Sequence, residues 1–234
     1  MSKPRAARAW TGLLLAGLAG SLLAGCARME PRLWVPDEVR QSLERVDLPD
    51  IGLSRSGRSQ LDGRVLSFSR SASTSEWFGV FASGSGRLLL TLEGEPVLGG
   101  DCHSSREQLK LFGLHLERPL VTECQVRQGE VQTSMRLWTQ AMGRPEQGEE
   151  LRGEWTLADG ERVFVHSLHQ NPAGAVMGRP LGFSIVRQGR TVALVDVSHW
   201  QPWLYLPREA LAREQVLPVA LLMALLVQPG PPGS

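Results

Sequence analysis

Near its end the chain carries eleven residues, Leu217 to Val227, without a single polar side chain. A helix that is apolar on every face has to be buried. At 1.5 Å per residue the run spans roughly 16 Å, about half of a bilayer's hydrocarbon core. It therefore reads as the heart of a domain rather than as a membrane span. Pro207 stands where the first turn of a helix accepts proline, and Arg208 to Val216 favours helix. Pro218 has no N–H to give and should kink or restart the helix.

What surrounds that helix has a different texture. From Gln60 onward, short apolar runs are punctuated by Gly, Asp and Ser, as in successive strands and turns. Arg64 to Arg70 alternates well. Glu76 to Ala82 and Arg87 to Leu92 read as a pair joined by a Ser83-Gly84-Ser85-Gly86 turn, and Pro96 to Gly100 as a further turn. Gln108 to Leu116, Leu120 to Val126 and Val131 to Trp138 follow as strands. Asp159-Gly160 is the strongest hairpin signal, between Gly153 to Ala158 and Glu161 to Leu168. Gln188-Gly189-Arg190 is a second, between Leu181 to Arg187 and Thr191 to Val197, and Trp203 to Leu206 is a last short strand. The expected fold is mainly β: an antiparallel barrel of about 10–12 strands around a buried C-terminal helix. The alternative is an open β-sandwich with the helix packed on one face.

The N-terminus is of another kind. Lys3, Arg5 and Arg8 precede an uncharged Gly/Ala/Leu-rich run from Trp10 to Leu23, a signal-peptide pattern too short for a comfortable span. It ends in Leu23-Ala24-Gly25-Cys26, which resembles the lipobox of bacterial lipoproteins. An ordinary cleaved signal and an uncleaved anchor are the competing readings. The resemblance implies cleavage after Gly25 and lipid on Cys26, and two or three acyl chains attach essentially permanently. It also implies a periplasm-facing protein. Ala27, where aspartate typically retains lipoproteins at the inner membrane, favours the outer membrane; the inner membrane and the cell surface stay open. The organisation expected is a signal peptide at 1–25, a lipidated tether at 26–59, the β-rich domain at 60–227 and a disordered tail at 228–234. Within the tether, Pro36-Asp37-Glu38 would open a short helix through Val39, Leu43 and Val46, and Trp34 would dock back on the domain.

Without Lys3, Arg5 and Arg8, 22 basic residues face 24 acids in the remaining 209, a formal net charge of −2. No basic stripe survives to neutralise phosphates, so nucleic acid is not an expected partner. An apolar content of 42% with seven tryptophans argues for a packed core rather than disorder. With Cys26 lipidated, Cys102 and Cys124 remain as an even pair in a compartment that permits disulfides. Neither belongs to a CxxC pair, which argues against zinc.

The many antiparallel strands, the Gly189-Arg190-Thr191-Val192-Ala193-Leu194-Val195-Asp196 hairpin and the terminal apolar helix together resemble the tubby-like barrel superfamily. That group includes tubby C-terminal domains, phospholipid scramblases and LURP-one-related proteins. The resemblance implies strands closed around a hydrophobic C-terminal helix, over about Gln60 to Val227. Neither a phosphoinositide-binding basic cluster nor a scramblase-like calcium segment is found, and no site residue carries over.

Candidate chemistry is sparse. His166 and His169 would face opposite sides of a strand, and with His199 they make no metal set; no metal and no cofactor are expected. Asp101-Cys102-His103 invites a cysteine–histidine reading that a disulfide would forbid. Gly84-Ser85-Gly86 is not a nucleophile elbow. Trp200, Trp203 and Tyr205 would form an aromatic platform for a sugar or acyl chain, or else pack at a barrel rim. The function expected is non-catalytic: a scaffold or accessory subunit of an envelope assembly, held to the membrane through Cys26, with an envelope protein as partner. A lipid- or hydrophobe-binding module is the alternative, and an envelope hydrolase the weakest.

Overall fold

A computed structural model describes residues 32–52, 54–77, 81–111, 114–142 and 148–226, without the side chains of 76–77, 81, 109–111 and 114–117. The signal peptide, Cys26, Val227 and the tail at 228–234 lie outside the described residues. One short helix, α1 (Asp37–Ser42), leads into thirteen strands and a second helix. The strands are β1 (Leu43–Asp47), β2 (Ser56–Leu61), β3 (Arg64–Trp77), β4 (Phe81–Leu92), β5 (Leu98–Leu111), β6 (Leu114–Glu117) and β7 (Val121–Gln128). They continue with β8 (Val131–Ala141), β9 (Glu149–Thr156), β10 (Arg162–Leu168), β11 (Gly182–Arg187), β12 (Arg190–Asp196) and β13 (Trp203–Pro207), and α2 (Ala210–Leu225) closes the order.

The fold is mainly β, one antiparallel sheet with a packed C-terminal helix. Its order is β1-β13-β12-β11-β10-β9-β8-β7-β5-β4-β3-β2, with β6 beside β5. The sheet is not closed: β1 and β2 form its two ends and share no ladder. Its inner face and α2 make the main core, in which every residue of the helix from Val216 to Leu225 is buried. Gly100 on β5 lets the helix approach, since a Cβ there would lie 3.0 Å from Leu222. No helix among the described residues is long and apolar enough to cross a membrane.

Side chains of α2 and β3 draw the two sheet ends together. From the first half of α2, Arg213 reaches Glu44 of β1 at 3.0 Å and Asp62, just past β2, at 2.9 Å. At the other end of the helix, buried Arg70 donates to the carbonyls of Ser54 (2.7 Å), Gly52 and Leu225 (3.3 Å). A cation there also suits the negative end of the helix dipole. Leu48 and Ile51, between β1 and β2, are fully buried in the main core.

Several local expectations change. Ser83 to Gly86 is the middle of a strand, paired to β3 and β5 on its two sides. Gly84 takes the inner parity with Ala82 and Leu88, while Ser83 and Ser85 face outward and bond Ser75 and Ser73 at 2.8 Å. The alternation of a strand was present, but with glycine standing where an apolar residue would advertise it. The helix expected through Val46 stops at Ser42, because Leu43–Asp47 finds a ladder on β13. The segment expected to be a tether is folded from Leu33 onward. Leu33, Val35, Val39 and Leu43 pack on Leu181, Leu194 and Tyr205 as a second cluster. Trp34 joins through its backbone, donating to Gln170 O at 3.0 Å, while its side chain stays half exposed.

Pro207 ends β13 instead of opening the helix; Glu209 caps α2, its carboxylate accepting from Leu211 N and Ala212 N. The helix does not restart at Pro218 but continues through it from Ala210 to Leu225. The Glu214 carbonyl, which a proline four residues on cannot satisfy, takes the side-chain amide of Gln128 at 3.3 Å.

Candidate functional site

The three rings of the expected aromatic platform sit in different settings. Trp203 faces outward on β13, stacked on His199 with ring centroids 3.8 Å apart, and the Arg45 guanidinium lies 4.3 Å from its ring. Arg45 is held in turn by Asp47 at 3.3 Å. Tyr205, two residues on, is only 9% exposed beneath the N-terminal segment, and that burial raises its pKa above the ordinary phenol value. Trp200 lies on the preceding loop, between β12 and β13, 72% exposed, with its indole over Gly52. Trp203 and Tyr205 thus share one face of β13 and one hydrophobic cluster, with Tyr205 covered and Trp203 partly open, while Trp200 stands apart on the loop.

Cys102 and Cys124 form a disulfide across a register pair of β5 and β7, with Cα atoms 4.0 Å apart, facing the core. Their separation suits the close, non-hydrogen-bonded type of antiparallel pair. The disulfide removes the thiol that a cysteine–histidine reading needs. His103 points outward instead, 3.3 Å from Asp101, which also pairs with Arg87 at 3.0 Å and raises the pKa of that guanidinium.

One pair escaped sequence reasoning. Ser167 and His169 are both buried, with Ser167 Oγ 2.9 Å from His169 Nε2 and His169 Nδ1 2.9 Å from the Met177 carbonyl. Since a carbonyl can only accept, Nδ1 carries the proton, and Nε2 accepts from the serine hydroxyl. Leu151 N donates to the same hydroxyl at 2.8 Å. A hydroxyl beside an oriented base is a nucleophile's arrangement, yet every hydrogen-bonding direction here ties β9, β10 and the following loop together. The signal available in sequence was Ser-x-His at the inward parity of β10. His166 takes the opposite parity, and no three His, Cys, Asp or Glu side chains come together for a metal among the described residues.

Of the concave regions among the described residues, two differ clearly in character. On the outer face of β7, β8 and β9 lies a groove of about 740 Å³, lined by Glu123, Gln125, Arg136, Trp138, Glu154 and Thr156. Register sets Glu123, Arg136 and Glu154 side by side across the three strands, and Glu154 also holds Arg162 at 3.1 Å. Opposite charges on neighbouring strands support each other. At the N-terminal end of α2 a smaller, more apolar hollow of about 260 Å³ is lined by Val126, Val131, Trp155, Leu157, Gln128 and Gln215 among others. Its tryptophan is fixed, with Nε1 donating to Thr133 at 2.9 Å. No protein-family model matches this sequence, and neither the curated proteins nor the solved structures contain a match.

Proposed function

We propose that this chain is a lipid-anchored lipoprotein of the outer membrane, facing the periplasm, with a non-catalytic scaffold or accessory role in an envelope assembly. The anchor rests on the Leu23-Ala24-Gly25-Cys26 motif. The single observation that carries the role is the filled interior: α2 occupies the inside of the sheet with ten consecutive buried residues. Recognition then falls to the outer surface, and the β7–β9 groove offers a tryptophan and an arginine, residue types enriched where binding energy concentrates. The tubby-like resemblance leads one to expect strands closed around a C-terminal helix; the buried helix fits that expectation, and the unclosed sheet departs from it. Cross-linking in intact membranes followed by purification should retain one envelope protein in stoichiometric yield. Trp138→Ser with Arg136→Glu should lose it while the domain still folds. Capture of no envelope protein, or capture indifferent to both substitutions, would remove the groove from this role.

The 260 Å³ hollow favours a second reading, a module for a small hydrophobic ligand, since pockets of this kind are mostly apolar with a few polar groups. Native mass spectrometry of the protein would then show a bound lipid that Leu157→Arg displaces. Repeatedly ligand-free spectra would sink it. The weakest reading, a hydrolase, has only the Ser167–His169 pair behind it, and a fluorophosphonate probe that leaves Ser167 unlabelled dismisses it.

A further inference from the structure

The strand ends near α2's C-terminus line up in one register row: Leu168, Gly182, Asp196, Trp203 and Asp47. The loops leaving this row, 169–181 and 197–202, therefore share one end of the domain. The chain joins the domain at that same end, for Leu33 N donates to Ser198 Oγ at 3.1 Å and Trp34 N to Gln170 O at 3.0 Å. There the surface exposes Trp200 at 72%, Val176 at 51% and Trp34 at 47%. Val97, Val131 and Leu211, also exposed, belong to the opposite end, where α2 begins.

We propose that this loop end rests on the bilayer surface, with the indoles of Trp34 and Trp200 at the level of the lipid headgroups. The inference rests on the lipoprotein reading above. Six residues separate Cys26 from Leu33, and the seven Cα steps between them reach at most about 25 Å when fully extended. A lipid on Cys26 thus holds the point where the chain meets the domain within that distance of the membrane. The far end lies a further helix length away, about 24 Å for 16 residues. Tryptophan is the side chain that settles at membrane interfaces, with an apolar body and one polar N–H. Two of them, with an exposed valine, sit where the tether brings the domain down.

The test uses full-length protein purified from bacterial membranes and reconstituted into phosphatidylethanolamine–phosphatidylglycerol vesicles. The vesicles carry a phosphatidylcholine brominated just below the headgroup, which quenches nearby indoles. Wild-type fluorescence should be quenched, and the Trp34→Phe/Trp200→Phe variant, at unchanged melting temperature, should lose most of that quenching. Quenching that is absent, or equal in both proteins, overturns the inference; if a cross-linked envelope protein instead protects Trp200, that end faces a protein. Partition into a phase-separating detergent, compared with Cys26→Ser, reads the anchor separately. Wild type behaving like Cys26→Ser there overturns the lipoprotein reading itself.

Discussion

Gln128 of β7 and Pro218 of α2 are linked through one atom, the Glu214 carbonyl. Proline leaves the Glu214 carbonyl without its helical donor, and the Gln128 amide supplies one from β7. Gln128→Leu should destabilise by about 1 kcal/mol, the usual net worth of a hydrogen bond. In a Pro218→Ala background, where the helix provides its own N–H, the same substitution should cost clearly less; denaturant titrations of the four proteins measure the coupling. A second residue-scale expectation concerns Glu161, whose carboxyl is held below its ordinary value near 4.5 chiefly by the hydrogen bond from Arg187, while the Arg187 guanidinium is raised in turn. A depressed carboxyl adds stability above its ordinary value and loses it as pH falls through the folded one. Arg187→Gln should therefore lower the melting temperature at neutral pH, and the gap from wild type should close in acid. A gap that stays constant down to low pH would show that Arg187 acts through packing alone.

At the scale of elements, the turns were legible in sequence and the partners were not. Asp159-Gly160 and Gln188-Gly189 form their hairpins with positive φ at Gly160 (82°), Gln188 (51°) and Gly189 (75°), the conformations that such tight turns demand. The apolar terminal helix was legible for the same reason: ten buried residues leave no polar face to misread. Leu43–Asp47 was not, because its ladder lies on β13, some 160 positions away (Leu43 opposite Pro207), and no local pattern reports a distant edge. Nor was Ser83 to Gly86, where close neighbours on both sides override the usual turn preference of serine and glycine. Of the candidate sites, the Cys102–Cys124 pair was readable from its even count, whereas the aromatic trio was not: strand parity keeps Trp203 and Tyr205 on one face, but the N-terminal segment covers Tyr205 and Trp200 stands exposed on the preceding loop. The disulfide staples the middle of β5 to β7 across a separation of 22 residues. Replacing both cysteines with alanine should cost about 3 kcal/mol on the chain-entropy account, read as a lower denaturation midpoint. An unchanged midpoint would mean that the ladder alone holds the two strands.

For the whole molecule the governing fact is an unclosed sheet that takes a helix as its interior. Strands twist with one hand, so a long antiparallel sheet curls, and here α2 fills the curl. Arg213 and Arg70 draw in the two ends that hydrogen bonds leave apart. The helix supplies much of the main core, so the strands have no complete core until it joins them. The helix and the strands β11, β12 and β13 packed on it should then open only when the whole domain opens. Native-state hydrogen exchange followed by mass spectrometry measures this directly. Amides of residues 219–225 should exchange as slowly as those of β12 and with the same denaturant dependence as global unfolding. Fast exchange of that helix while the strands stay protected would contradict it, and would mean that the sheet stands without the helix as its core.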